Sequence, residues 1–176
     1  MPLKRKSLNM KSLNVRNVLS AAALAAAMAT AATPSFADSA YLTVSGNITK
    51  GTNHKWTLSQ AEFNALPQHS VSTTTSWTKG VHTFTGPLMR DIQKMAGSNS
   101  ATMNAIAIDD YAQKIPTSDF TKYDVILANR MDGKPLSMDH YGPMWIIYPR
   151  DAFPRELMNP LTDGKFVWQV QHVDFK

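Results

Sequence analysis

Short strand-like segments follow one another along residues 41–175, and only two of the stretches between them have the pattern of a helix. The strand signals are an alternation of apolar and polar residues, or short runs rich in β-branched and aromatic residues. They predict strands at residues 41–48, 70–77, 101–108, 124–128, 145–148 and 165–175. Because these segments do not alternate with helices as in a parallel sheet, the sequence predicts a single α+β domain that is mostly β.

Two helices are predicted between the strands. Ser59–Glu62 has the pattern of a capping box and opens a short helix that ends before Pro67. The second helix is expected to open at Thr85–Pro87, with the proline in its first turn, and to end at Gly97. Its buried stripe is expected to consist of Leu88, Ile92 and Met95.

The excess positive charge of the chain belongs entirely to its N-terminus. Residues 1–37 carry five basic residues and no acidic one, which equals the formal net charge of +5. The remainder is therefore neutral, which argues against a nucleic-acid-binding protein. The basic stretch precedes an apolar run, Val18–Ala29, that is shorter than the roughly 20 residues of a membrane-spanning helix. Small residues at positions −3 and −1 of the segment ending at Ala37 complete the pattern of a secretory signal peptide.

We therefore predict a signal peptide at residues 1–37 and a mature domain at residues 38–176. The predicted location is the periplasm, with no insertion into the membrane after cleavage. A retained N-terminal anchor is the alternative. The chain contains no cysteine, which excludes a disulfide framework, a thiolate metal site and a cysteine nucleophile.

None of the common catalytic or phosphate-binding motifs is present, and the five histidines lack the spacing of metal ligands. Four segments instead place polar and aromatic residues at predicted strand ends: 72–77, 108–111, 129–133 and 139–145. Each can also be an ordinary hairpin turn, and Asp132-Gly133 is a strong turn signal by itself. Together they offer carboxylates, a guanidinium, hydroxyls and flat rings, which suit a planar heterocycle that forms hydrogen bonds.

The run from Asp124 to Pro149, with Met131-Asp-Gly-Lys-Pro-Leu and His140-Tyr-Gly-Pro within it, resembles the signature of the molybdopterin-binding domain of the sulfite oxidase family. Phe84–Ile92 resembles the helix opening of that family, and Asp109–Tyr111 and the segment around Trp168 resemble two further motifs. The resemblance covers about residues 41–175. It implies a single sulfite oxidase-like molybdopterin domain of mixed sheets with a few short helices.

The chain departs from the family at three functional positions. Thr73 stands where the family has the cysteine that holds molybdenum, and Trp145 and Val167 stand where it has an arginine and a lysine near the cofactor. A hydroxyl is a poor replacement for a thiolate on a metal that prefers soft ligands. The resemblance thus implies a pterin pocket without the metal ligand or the basic groups expected near the cofactor's phosphate.

The chain also resembles a cysteine-free branch of this fold, the periplasmic pterin-binding proteins that act on membrane-bound cyclic-di-GMP enzymes. This implies a non-catalytic protein with a neopterin- or monapterin-like ligand, while molybdopterin and metal are not expected. The implied partner is the periplasmic domain of a membrane diguanylate cyclase or phosphodiesterase. We expect Asp110 to pair with the amino edge of the ligand, Arg130 to bind its carbonyl edge or its side-chain hydroxyls, and aromatic rings to stack on it. The expected ligand-binding residues are Thr73, Trp77, Asp110, Tyr111, Arg130, His140, Tyr141 and Trp145.

Two other functions remain open on the sequence. One is a molybdopterin-dependent oxidoreductase with atypical ligation, in which Ser72 or Ser76 would replace the cysteine. The N-terminal segment lacks the Arg-Arg pair of proteins exported with a folded cofactor, which argues against it. The other is a periplasmic Cu(I)-binding protein, because thioether and imidazole ligands suit Cu(I). Its candidate ligands are Met131, Met138, His140 and Met144.

Overall fold

The computed structural model describes residues 40–176. The predicted signal peptide and its cleavage site lie outside the described residues, so these and the periplasmic location stay predictions. Within the described part of the chain, no helix is long and apolar enough to cross a membrane.

The described residues form eleven strands and five α-helices. The strands are β1 (Leu42–Gly46), β2 (Lys55–Leu58), β3 (Gln68–Thr73), β4 (His82–Pro87), β5 (Thr102–Ala107), β6 (Ala112–Pro116), β7 (Ile126–Ala128), β8 (Arg130–Met131), β9 (Lys134–Pro135), β10 (Trp145–Ile147) and β11 (Val170–Phe175). The helices are α1 (Gln60–Ala65), α2 (Met89–Ala96), α3 (Ser118–Lys122), α4 (Pro154–Leu157) and α5 (Pro160–Asp163), and a 3₁₀ helix spans Arg150–Ala152.

The largest sheet has the strand order β2-β1-β11-β5-β6. β1 runs parallel to β11, and the other neighbouring pairs are antiparallel. Burial alternates along these strands: Leu42 and Val44 of β1 and Val173 and Phe175 of β11 are buried in the core. The residues between them face the other side and are polar, as expected for a sheet that is covered on one face only.

A second sheet has the order β3-β4-β8-β9. Its β8–β9 hairpin turns at Asp132 and Gly133, whose φ angles of 51° and 76° confirm the predicted two-residue turn. β7 and β10 form a two-stranded sheet whose residues are all buried. The fold class is therefore confirmed as α+β and mostly β, with mixed sheets and short helices.

Both predicted helices are present, with one correction. α1 has the capping box, because the Ser59 hydroxyl accepts from the Glu62 amide while the Glu62 carboxylate accepts from the Ser59 amide. Gly97 ends α2 in the left-handed conformation, with φ of 67°. The prediction that Thr85–Pro87 opens this helix is wrong. These residues complete β4, because they pair with β3 and Thr85 pairs with β8, so tertiary pairing overrides the local helix signal.

Two predicted strands are shorter than expected. The segment predicted at 70–77 pairs only to Thr73, and the residues that follow form a loop. The segment predicted at 165–175 pairs only from Val170 onward. Before it, the amides of Lys165 and Phe166 bond back to Thr162 and Asp163, and Gln169 has a left-handed φ of 55°. The alternation of apolar residues therefore continues in the sequence where the extended conformation does not.

Gly86 provides a test of how closely β4 approaches β7. A Cβ atom at this position would overlap with the carbonyl oxygen of Leu127 and lie 2.6 Å from the Cα atom of Ala128. Backbone atoms in the core cannot move aside cheaply, so Gly86→Ala should lower the free energy of unfolding by about 3 kcal/mol or more. Gly164→Ala is the control, since the nearest atom to its Cβ would be 3.7 Å away. Equal denaturation midpoints for the two variants would contradict this packing.

Candidate functional site

A cavity of about 340 Å³ opens beside the loop that follows β3. The β5–β6 turn and the segment between α5 and β11 complete its walls. Its lining residues are Trp77, Ala107, Asp109, Tyr111, Asp163, Gly164, Phe166, Val167 and Trp168. A larger, shallow depression of about 760 Å³ runs along α2 and contains no aromatic side chain among its described lining residues. The smaller cavity, with flat rings and carboxylates in its walls, is therefore the better candidate site.

Two indoles dominate the apolar wall of the cavity. The rings of Trp77 and Trp168 meet edge to face, with centroids 5.1 Å apart, and Phe166 lies 5.9 Å from Trp77. Behind them, Tyr141 stacks on the buried Trp145 with centroids 4.3 Å apart. The Tyr141 hydroxyl also donates to the carbonyl oxygen of Trp77 at 3.0 Å. The aromatic wall is thus supported from behind by packing and by a hydrogen bond.

The loop that carries Trp77 is held by side-chain hydrogen bonds. The Thr75 hydroxyl accepts from the amide of Trp77 at 3.2 Å, which closes a tight turn. The amide of Thr74 donates to the Asp151 carboxylate at 2.8 Å. The Ser76 hydroxyl donates to Asp163 at 2.8 Å. A polar loop of this kind can therefore hold a large indole in one position.

Two carboxylates lie at the cavity in different environments. Asp163 is mostly buried: its Oδ2 atom accepts from Ser76, and its Oδ1 atom is 3.7 Å from Nη2 of Arg150. Within the described chain, that Oδ1 and the Arg150 Nε have no hydrogen-bond partner. Asp109 is exposed and accepts only from the amide of Tyr111, at 3.2 Å. Asp109 is therefore the carboxylate that can turn toward a ligand, while Asp163 holds the loop.

None of the described residues that line the cavity is a lysine or an arginine. Lys165 follows the lining residue Gly164, but its ammonium donates to Asp119 at 2.7 Å. Asp119 also accepts from the Tyr148 hydroxyl at 3.0 Å. Burial, together with the negative charge of Asp119, raises the pKa of Tyr148, so the phenol stays protonated. Lys165 is thus engaged in a buried network, and the cavity itself is acidic.

Of the predicted ligand-binding residues, Trp77 and Tyr111 line the cavity. Asp110 does not, although its neighbour Asp109 does. Asp110 adopts a left-handed φ of 66°, and its amide bonds back to Ala107, so the turn reverses the chain at this residue. Thr73 is fully buried: its hydroxyl accepts from the Asp151 amide at 3.1 Å and donates to the Thr74 carbonyl.

The remaining four predicted residues lie away from the cavity surface. Tyr141 and Trp145 form the layer behind it. His140 is exposed and lies 3.4 Å from the carboxylate of Asp139. Arg130 lies on β8, where it pairs with β4 and β9. The lining residues that sequence reasoning did not select as ligand contacts are Ala107, Asp109, Asp163, Gly164, Phe166, Val167 and Trp168.

The four candidate copper ligands lie at different depths. Met144 is fully buried in the core, whereas the side chains of Met138 and His140 are exposed. Over residues 40–176 there is also no cluster of three or more histidine, aspartate or glutamate side chains that could hold a metal ion. The structure therefore adds no support to the copper hypothesis.

Comparisons with known proteins agree with the fold. Residues 30–156 match the family model described as an oxidoreductase molybdopterin binding domain. The chain superposes on the crystal structure of the sulfane dehydrogenase SoxCD from Paracoccus pantotrophus with a TM-score of 0.59 and 12% sequence identity. The match covers 78% of this chain but only 38% of that one, so it shows the fold alone. No curated protein sequence matches the chain. The predicted family and fold are thereby confirmed.

His82 closes the base of the loop that carries Trp77, and its titration can be tested. Nδ1 lies 2.6 Å from Asp132 and Nε2 lies 3.0 Å from the carbonyl oxygen of Lys79. Both partners accept, so the doubly protonated ring satisfies both, and the hydrogen bond to Asp132 raises the pKa of His82 above its ordinary value. The stabilisation is complete below about pH 6.5 and is lost as the pH rises through the raised pKa.

NMR titration of the His82 ring measures this shift. Asp132→Asn should return the pKa toward its ordinary value while keeping the turn, since asparagine tolerates the left-handed conformation. Asp139→Asn, beside the exposed His140, is the control and should leave His82 unchanged. An unaltered His82 titration in Asp132→Asn would contradict the assignment.

Proposed function

Because the chain belongs to the oxidoreductase molybdopterin binding domain family, we propose that its cavity binds a pterin, without molybdenum and without a terminal phosphate. One observation carries this proposal. The cavity combines two indoles with an exposed carboxylate, and its described lining has no basic side chain. Such a site favours a flat, neutral ring with hydrogen-bond donors along one edge.

The apolar part of the cavity suits the ring system. Its volume of about 340 Å³ is near the lower end of the usual range for small-molecule sites. Trp77 and Trp168 offer ring faces and edges on which a bicyclic heterocycle can stack. Since the Trp77 loop is already fixed by Asp151 and Asp163, little conformational entropy is lost when the ligand binds.

The residues do not fit the metal of the family's cofactor. Thr73 occupies the position of the cysteine in the resemblance, and its hydroxyl is fully buried between the Asp151 amide and the Thr74 carbonyl. Its one O–H donor and one of its two lone pairs are used in these bonds. A neutral hydroxyl in this position is also the wrong donor for a metal that prefers thiolates. This position therefore does not fit molybdenum.

The residues do not fit a phosphate either. Phosphate groups in proteins are held by arginine, lysine or backbone amides at a helix N-terminus. Here the lining supplies Asp109 and Asp163, and Lys165 is engaged with Asp119. A phosphate placed in this cavity would face like charge, so the site selects against phosphorylated pterins.

Asp109 is the residue proposed to recognise the ligand by hydrogen bonds. A carboxylate can accept two parallel hydrogen bonds from the 2-amino group and the N3 hydrogen of a pterin. Its bond to the Tyr111 amide orients the carboxylate, and the exposed Tyr111 ring lines the cavity beside it. Asp163 is a positioning residue that holds Ser76, and through it the Trp77 loop.

Titration of the purified protein with neopterin, followed by tryptophan fluorescence, tests the ligand and the site together. Asp109→Asn should weaken binding about 10- to 100-fold, because it removes a hydrogen bond to a charged group. Asp110→Asn is the matched control in the same exposed turn and should leave the affinity unchanged. A larger loss in Asp110→Asn would transfer the role to Asp110. Co-purification of stoichiometric molybdenum and molybdopterin would instead support the oxidoreductase alternative.

We further propose that the pterin-loaded protein signals to a periplasmic domain of a membrane-bound cyclic-di-GMP enzyme. Besides the resemblance, exposed apolar side chains near the cavity support this proposal. Tyr111 is 50% exposed and lines the cavity, and Leu161 of α5 is 85% exposed and lies two residues before the lining residue Asp163. A partner that covered these side chains would contact the part of the surface that the ligand alters.

Cyclic-di-GMP levels in the producing organism test the signalling proposal separately. Deletion of the gene should change the level, and wild-type protein or Asp110→Asn should restore it. Asp109→Asn should behave like the deletion, because the ligand no longer binds. An unchanged level after deletion would contradict the signalling role, while the titration would still decide pterin binding.

A further inference from the structure

The two larger sheets end in four edge strands, and three of these carry protective residues. β2 contains Lys55, β6 contains Lys114 and Pro116, and β9 consists of Lys134 and Pro135. Lysine and proline at a sheet edge prevent it from pairing with another chain, because the charge is costly to bury and proline lacks an amide donor. These three edges are therefore unsuited to forming a longer sheet.

β3, the fourth edge strand, lacks this protection. Its sequence Gln-His-Ser-Val-Ser-Thr contains no lysine, arginine, acid or proline. With six residues it is the longest of the four edges in the described chain, and its register with β4 is continuous from Gln68 to Thr73 without a bulge. Most of its residues are exposed. A long, regular and uncharged edge is the form that accepts another strand.

The two ends of β3 limit where a strand could pair. At the C-terminal end, the amide of Asp151 donates to the Thr73 hydroxyl and the Asp151 carboxylate accepts from the Thr74 amide, so this end is covered. At the other end, Pro67 precedes the strand. The open part is therefore Gln68–Ser72.

A groove of about 380 Å³ lies alongside this open part. Its wall includes Val71, Tyr123 and Phe153, and the rings of Tyr123 and Phe153 meet edge to face with centroids 5.1 Å apart. Arg90 and Lys122 also line the groove; the charge of Arg90 is paired with Asp124, and the ammonium of Lys122 lies over the Tyr123 ring. The groove adds apolar surface beside the backbone groups of the edge strand.

We propose that β3 pairs antiparallel with β3 of a second copy of this chain, so that the two four-stranded sheets join into one. A two-fold axis pairs the strand residues reciprocally, and a lysine at or near the axis would then face its own counterpart. β3 is the one edge strand of the two larger described sheets that carries no lysine, so this conflict does not arise there. The five open strand residues are fewer than the roughly 20–30 per side of a standard interface, so we expect a weak dimer that also uses the groove.

The absence of cysteine from the chain allows a direct test. A single cysteine introduced by Ser70→Cys on β3 should form an intermolecular disulfide under mild oxidation, because paired strands bring Cα atoms within disulfide range. The adjacent variant Val71→Cys tests a pairing whose two-fold axis lies one residue further along the strand. Thr57→Cys on the lysine-containing edge β2 is the control and should remain monomeric. Equal cross-linking at β2 and β3 would overturn the proposal.

Sedimentation velocity of the unmodified protein provides the second measurement. The average mass should rise with concentration toward that of a dimer, and Ser70→Lys should abolish the rise by placing like charges across the axis. Circular dichroism checks that this variant is folded. A monomer at every concentration up to about 1 mM would overturn self-pairing, since this corresponds to a binding free energy weaker than about −4 kcal/mol. Dimers that persist in a folded Ser70→Lys variant would also overturn it.

Discussion

The buried indole of Trp145 connects the parts of the molecule that form the candidate site. It lies on β10 with no solvent exposure, and its Nε1 donates to the carbonyl oxygen of Phe166 at 3.0 Å. Its ring contacts Phe84 of the second sheet, Tyr141 of the preceding turn, and Trp77 at the cavity wall. Because a buried N–H without a partner is costly, this hydrogen bond fixes the segment that supplies much of the cavity lining. A residue that the sequence assigned to the ligand instead supports the side chains that would contact it.

Charge decides what the cavity can hold. An arginine at position 145 and a lysine at position 167 would suit an anionic cofactor according to the family resemblance, and here both positions are apolar and buried. Two cations close to the site, Arg150 and Lys165, face Asp163 and Asp119. The net charge at the cavity is therefore determined by internal ion pairs and by the exposed Asp109. This charge balance supports the proposed binding of a ring that donates hydrogen bonds.

Sequence reasoning succeeded where the signal was local. The capping box at Ser59, the left-handed Gly97 and the Asp132-Gly133 turn each depend on a few adjacent residues, and all three are present. It failed where long-range pairing or a change of backbone direction decides the outcome. Pro87 ends a strand because β4 has partners on both sides, and Gln169 interrupts the apolar alternation before β11.

The cavity could be predicted only in part for the same reason. Its aromatic and acidic character followed from the segments 72–77 and 108–111, both of which contribute lining residues. The choice between Asp109 and Asp110 depends on one left-handed φ angle, which periodicity does not reveal. Trp168 and Asp163 lie almost a hundred residues from Trp77 in the chain, and only the fold brings them to it.

Asp151 belongs at once to the end of β3 and to the start of the loop that carries Trp77, because it bonds to both Thr73 and Thr74. The strand edge and the cavity loop are thus joined through a single residue, whose amide binds Thr73 and whose carboxylate binds Thr74. A shift of Asp151 that accompanies association at the β3 edge would also change the free energy of ligand binding in the cavity. Thermodynamic linkage makes this coupling equal in both directions. If association at the strand edge tightens ligand binding, then the ligand strengthens association by the same factor. The occupancy of the cavity would then depend on the local concentration of the protein as well as on that of its ligand.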